Sequence, residues 1–118
     1  MYSAQLLDHF QNPRHAGDLD APDARAEIEN PVCGDVLRIS LKIAGGRIIE
    51  ARFKARGCVP SIACGSALMA LLVGKSLPEA RAIGREQLIS AVGGIPEASN
   101  HAPQLALDAL AAALRQIG

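Results

Sequence analysis

The chain has no tryptophan and only three other aromatic residues, Tyr2, Phe10 and Phe53. Without aromatic platforms, base stacking on single-stranded nucleic acid is excluded as its activity. It also lacks a charge excess, since twelve basic residues cancel twelve acidic ones. No basic field therefore points to nucleic acid or to a membrane surface. No apolar run approaches the length needed to span a bilayer. The first ten residues, Met1 to Phe10, lack a basic n-region and are too polar for a signal peptide. The expectation is a cytoplasmic protein. Its three cysteines are an odd number, and a reducing compartment keeps them as thiols. Metal binding, sulfur chemistry or plain burial are their open roles.

What is present suffices for one domain, residues 1–118. At 118 residues with 49% apolar content, the chain can bury a core without disulfide staples. Ser3 to Phe10 reads as a short amphipathic helix capped by Ser3 and stopped near Asn12-Pro13. Residues 14–23 read as a polar loop and residues 24–30 as a short strand with weak alternation. Asp35 to Ile43 is a clearer strand. Leu37, Ile39, Leu41 and Ile43 alternate with Arg38, Ser40 and Lys42, the period of a half-buried sheet. Gly45-Gly46 signals a hairpin. Arg47 to Ala55 returns with Ile49, Ala51, Phe53 and Ala55 on the apolar face.

Helices follow. Pro60-Ser61 opens one that runs to Val73 and stops at Gly74. Ser76-Leu77-Pro78-Glu79 is a capping box for a short helix ended by Gly84. Arg85 to Val92 is another. Ser99 or Asn100 caps a last helix with Leu107, Leu110, Leu114 and Ile117 at helical spacing. Strands first and helices after imply an α+β fold, a meander of two or three antiparallel strands with helices packed on one face.

The residues able to carry chemistry cluster around Asn30-Pro31-Val32-Cys33-Gly34-Asp35. Cys33 stands twelve or thirteen residues before the Gly45-Gly46 turn and Cys58 the same distance after it. An antiparallel hairpin therefore brings Cys33 and Cys58 to one sheet edge, with Asp35 beside them. Thiolates and a carboxylate near a helix N-terminus suit a metal or a nucleophilic sulfur. His101, at the start of the last helix, reads either as a further ligand or as a surface or capping residue. Cys64 lies six residues beyond Cys58, ~9 Å along a helix. It reads as a small core residue beside Ala63 and Ala67, or else as a replacement thiol reached from one turn up. His9 and His15 read as surface or local packing.

Several segments resemble the iron–sulfur cluster scaffold family of IscU and the NifU N-terminal domain. They are Asp8-His9-Phe10-Gln11-Asn12-Pro13-Arg14, Pro31-Val32-Cys33-Gly34-Asp35, Ile49 to Lys54, Gly57-Cys58 with Ser61, Ala63 and Ser66, Gly74-Lys75-Ser76-Leu77, and Asp108-Ala109-Leu110. The resemblance spans nearly the whole chain. It implies a three-stranded antiparallel sheet with several helices. It implies a non-enzymatic scaffold on which a transient [2Fe-2S] cluster is built with sulfur from a cysteine desulfurase, then passed to apo iron–sulfur acceptor proteins. Carried over by position, Cys33, Asp35, Cys58 and His101 are the cluster or metal ligands, with zinc as the alternative occupant.

Two departures from the family pattern stand out. Ala102 replaces the cysteine expected directly after His101, and Ile95-Pro96-Glu97-Ala98-Ser99-Asn100 replaces a proline-rich hydrophobic stretch that many members present to a chaperone. Two thiolates, one carboxylate and one imidazole remain, a set that suits tetrahedral zinc or a cluster with mixed ligation. Three readings compete: a cluster scaffold or carrier, a zinc-bearing persulfide acceptor for a desulfurase, and an interaction module with a degenerate site.

Overall fold

The computed structural model describes residues 2–31 and 34–117. Their elements run α1 (Ala4–Gln11), β1 (Ala24–Glu29), β2 (Val36–Ala44), β3 (Arg47–Arg56), α2 (Val59–Leu72), α3 (Leu77–Arg81), α4 (Arg85–Ala91) and α5 (His101–Arg115). The strands form one antiparallel meander in the order β1-β2-β3. Two helices, α2 and α5, lie across one face of this sheet, and α1 packs on α2. This is the α+β architecture that the order of strand and helix patterns predicts. No helix among the described residues is long and apolar enough to cross a membrane.

The core forms where the alternating faces of the strands meet the two helices. β2 contributes Leu37, Ile39 and Leu41; β3 contributes Ile48, Ala51 and Phe53; β1 contributes Ala24 and Ala26. α2 is apolar on every side because sheet, α1, α4 and α5 surround it, and Ala63, Cys64, Ala67, Leu68, Met69 and Leu72 are all buried. Gly65 lets it approach the sheet closely. A Cβ there would sit 2.9 Å from Phe53 Cδ2 and 3.1 Å from Leu37 Cδ1.

The expected face pattern fails at one place in β3. A register shift falls between Lys42, opposite Glu50, and Ile43, opposite Ile48. β3 carries the extra residue, a β-bulge, and side-chain alternation inverts across it. Ile48 is therefore fully buried, whereas Ile49, expected inside, is 48% exposed. Ser40 also departs from the alternation, as a polar position with no exposure. The segment 18–23 laps over it. Ser40 donates to Asp18 Oδ1, Arg25 donates to the Leu19 carbonyl, and the Asp23 amide donates to the Leu41 carbonyl. The sheet's polar face is thus partly covered.

Both ends of the outer edge of β3 are closed, which protects a strand otherwise open to pairing. The Phe53 amide donates to the His15 carbonyl and the Gly17 amide to the Phe53 carbonyl. Further along, Ile48 and Gly74–Lys75 exchange backbone hydrogen bonds. The local stop and start signals are realised with small shifts. Ser3 Oγ accepts from the Leu6 amide, and the Ser76–Glu79 capping box is complete in both directions. α3 ends at Arg81, and Gly84 precedes α4 instead of closing α3. Asn100 stands at the start of α5 but its side chain caps nothing; a short 3₁₀ turn, Glu97–Ser99, leads into the helix.

Candidate metal centre

Three elements begin at the same corner of the sheet. Asp35 immediately precedes β2, Cys58 is the N-cap residue of α2 just after β3, and His101 is the first residue of α5. The pairing Val36↔Arg56 sets this geometry. Counting symmetrically from the turn places position 33 opposite 58. The bulge adds one residue to β3, so the ladder closes with position 35 next to Gly57. Cys33 itself lies outside the described residues.

Gly57 makes the close approach feasible. Its φ is +144°, and a Cβ on it would stand 2.2 Å from Asp35 Oδ1. Only a residue without a side chain fits between the β3 terminus and the carboxylate. Asp35 is 3% exposed and is held by designated donors. The Cys58 amide donates to Oδ1 at 3.2 Å, and Ser61 Oγ donates to Oδ2 at 2.6 Å. A buried carboxylate is stable here because it lies against the amino end of α2, where unpaired amides and the helix dipole favour negative charge.

The donor atoms of Asp35, Cys58 and His101 all lie within 4.8 Å of one another. Cys58 Sγ is 3.1 Å from Asp35 Oδ2 and 3.5 Å from His101 Nε2, and His101 Nε2 is 3.3 Å from Asp35 Oδ2. A zinc ion about 2.0–2.3 Å from each donor would separate tetrahedral N, O and S ligands by about 3.4–3.6 Å. The observed triangle is within half an ångström of one face of that tetrahedron, so the donor set fits a metal without rearrangement of the backbone. The Cys58 and His101 side chains remain partly exposed, leaving the corner open. Burial pushes the Cys58 thiol above its ordinary pKa; hydrogen bonding with Ser61 opposes the rise and the Asp35 carboxylate adds to it. With no metal present the thiol is a protonated donor to Asp35, and a cation bound there would displace that proton.

Cys64 does not join this group. It sits in the core of α2 with no exposure, and burial pushes its thiol up to about 12. His9 is engaged in local packing: its Nδ1 pairs with the buried Ser66 hydroxyl, which also accepts from the Arg14 amide. His15 is exposed and serves through its backbone. Ala102 is buried beside the ligand-bearing turn. Ser61 is the side chain touching these donors that reading for metal ligands passes over. Its signal was the three-residue spacing from Cys58, one helical turn along the same face. Arg85 braces the helix that carries His101. Its guanidinium donates to the Asn100 carbonyl and to Gln104, tying the start of α5 to α4.

A three-stranded meander backed by helices, with carboxylate, thiol and imidazole donors gathered at one open corner, defines a small α+β protein organised around a candidate metal centre. The chain belongs to the family of the NifU-like N terminal domain, whose profile matches residues 1–117. It is 40% identical over 114 residues to iron-sulfur cluster assembly scaffold protein IscU 1 of Archaeoglobus fulgidus, covering 97% of this chain and 74% of that one. It is 38% identical over 117 residues to iron-sulfur cluster assembly scaffold protein IscU of Escherichia coli, covering 96% and 91%. Its fold matches the crystal structure of a nitrogen-fixing NifU-like protein (N-terminal) from Brucella abortus with a TM-score of 0.80 at 22% identity, over 98% of this chain and 92% of that one.

Proposed function

We propose that this protein is a scaffold that binds an iron–sulfur cluster during assembly and releases it to acceptor proteins. The observation that carries the reading is the convergence of Asp35, Cys58 and His101 at an open corner, in a chain of this family. Cys33, two residues before Asp35 in the sequence, supplies the second thiolate. The cargo is a transient [2Fe-2S] cluster. Its sulfur comes from a cysteine desulfurase, and its recipients are apo iron–sulfur proteins in the reducing cytoplasm. The protein turns over no organic substrate; it holds, exposes and hands over.

Mixed ligation suits that task. Cysteine-only clusters are bound firmly, and replacing thiolates by carboxylate and imidazole changes the charge and strength of the hold. Partial exposure gives an acceptor's thiols a route to displace these ligands.

A second reading is favoured by one feature. Ala102 removes a thiol that the family pattern provides, and two Cys, one Asp and one His make a complete tetrahedral zinc set. In that reading zinc organises the corner and Cys58 accepts persulfide sulfur from the desulfurase. Anaerobic reconstitution with iron and sulfide, followed by the visible spectrum, separates the two. The scaffold develops cluster charge-transfer bands. Absence of bands, together with close to one zinc per chain in protein purified from cells and stimulation of a desulfurase that Cys58→Ser abolishes, would replace it with the sulfur acceptor.

A further inference from the structure

We propose that Ser61 is a positioning residue for the metal centre, fixing Asp35 so that its carboxylate binds cargo through Oδ2 alone. The inference rests on the reading of Asp35, Cys58 and His101 as ligands, and it adds a residue that supplies no ligand atom. Ser61 is 2% exposed, so water does not satisfy its hydroxyl. That hydroxyl donates to Asp35 Oδ2 at 2.6 Å and lies 3.2 Å from Cys58 Sγ.

The two carboxylate oxygens have different surroundings. Oδ1 accepts from the Cys58 amide at 3.2 Å and sits where a Cβ on Gly57 would fall. It is engaged by the backbone at the β3–α2 junction. Oδ2 faces the other donors, 3.1 Å from Cys58 Sγ and 3.3 Å from His101 Nε2. An ionised carboxylate oxygen has two lone-pair sites. Ser61 donates to Oδ2. Cys58 also donates to it in the metal-free protein and leaves it when its sulfur turns to a metal. The carboxylate is therefore presented as a monodentate ligand, aimed in advance and weakened by the hydrogen bonds it already accepts. A ligand of that kind orients incoming metal yet does not grip it with both oxygens.

Partners that orient a metal-ligating carboxylate typically contribute about 10–100-fold in metal affinity. Cobalt(II) is the probe, because its visible bands report coordination number. Wild-type protein, Ser61→Ala and Ser61→Thr are titrated with cobalt, and affinity is read by competition with a chelator. Wild type should bind with intense four-coordinate bands. Ser61→Ala should bind about 10–100-fold more weakly, with altered visible bands as Oδ2 loses the hydrogen bond that fixes its direction. Ser61→Thr, which keeps the hydroxyl, should restore both. If Ser61→Ala binds within a factor of about 2 of wild type and keeps its spectrum, the role of Ser61 is wrong and the ligand assignment stands. If wild type itself binds no cobalt, the ligand assignment fails and this inference fails with it.

Discussion

Gly57→Ala is the substitution whose outcome the geometry constrains most tightly. The new Cβ would lie 2.2 Å from Asp35 Oδ1, 2.5 Å from Cγ and 2.9 Å from Cβ. Rotation of the Asp35 side chain about χ1 moves the carboxylate but leaves its Cβ in place, so a rotamer change alone does not relieve the contact. The backbone must also shift, or the β3–α2 junction must open. Either movement breaks the hydrogen bonds from Cys58 N–H and Ser61 Oγ. Bonds to a charged acceptor contribute about 1.5–3 kcal/mol each. The strained φ of +144° adds about 1–3 kcal/mol. The total is at least about 4 kcal/mol, a fall in Tm of about 12 °C or more for a domain of this size. Gly74→Ala is the matched control. Its φ is +88° with nothing within 4 Å of the added Cβ, so it meets backbone strain of about 1–2 kcal/mol and no clash. Thermal melts and chelator-competition zinc titrations of the two variants provide the test. Gly57→Ala should lose both stability and metal affinity, and Gly74→Ala only a little stability. A Gly57→Ala protein with wild-type affinity and a Tm within about 3 °C of wild type would refute the account of how Asp35 is held.

Other expectations follow from the core beneath the site. Gly65→Ala adds a Cβ 2.9 Å from Phe53; overpacking of about 1–3 kcal/mol should outweigh alanine's helical advantage of about 1 kcal/mol. Chemical denaturation should show net destabilisation, relieved by adding Phe53→Leu; a more stable Gly65→Ala would contradict the close approach of α2 to the sheet. Cys64 has a folded pKa raised to about 12 from 9.0. The protonated thiol therefore stabilises the fold fully below pH 9, and that contribution is lost as pH rises through 12. Wild-type stability should fall across pH 9–12 by up to about 1.4 kcal/mol per pH unit from this group. The slope in Cys64→Ala should be shallower; an identical slope would place the thiol in contact with water.

The sequence made the scaffold of the site legible because its signals are local. Gly45-Gly46 marks the hairpin, the period-2 run marks β2, and Pro60 and Ser76 mark helix starts. These bring residues near 35 and 58 to one corner without tertiary information. What escaped was set by packing. The bulge opposite Lys42 and Ile43 leaves no motif, yet it moves the register by one residue, expels Ile49 and makes Asp35 the neighbour of Gly57. Ser40 followed the alternation but is covered by a segment from outside the sheet. Ser61 looked like an ordinary helix-start residue until the Asp35 carboxylate came within 2.6 Å of it. His101 is more than forty positions from Cys58, and only the resemblance joined them before the fold did.

The central claim is that cargo binds at the corner where β2, α2 and α5 begin, and not at the thiol buried in α2. The direct measurement is the yield of cluster after anaerobic reconstitution in wild type, Cys58→Ser and Cys64→Ala, read as iron, acid-labile sulfide and visible absorbance per chain. The account predicts that Cys58→Ser abolishes the cluster bands and that Cys64→Ala retains them. Bands that survive in Cys58→Ser and vanish in Cys64→Ala would contradict it.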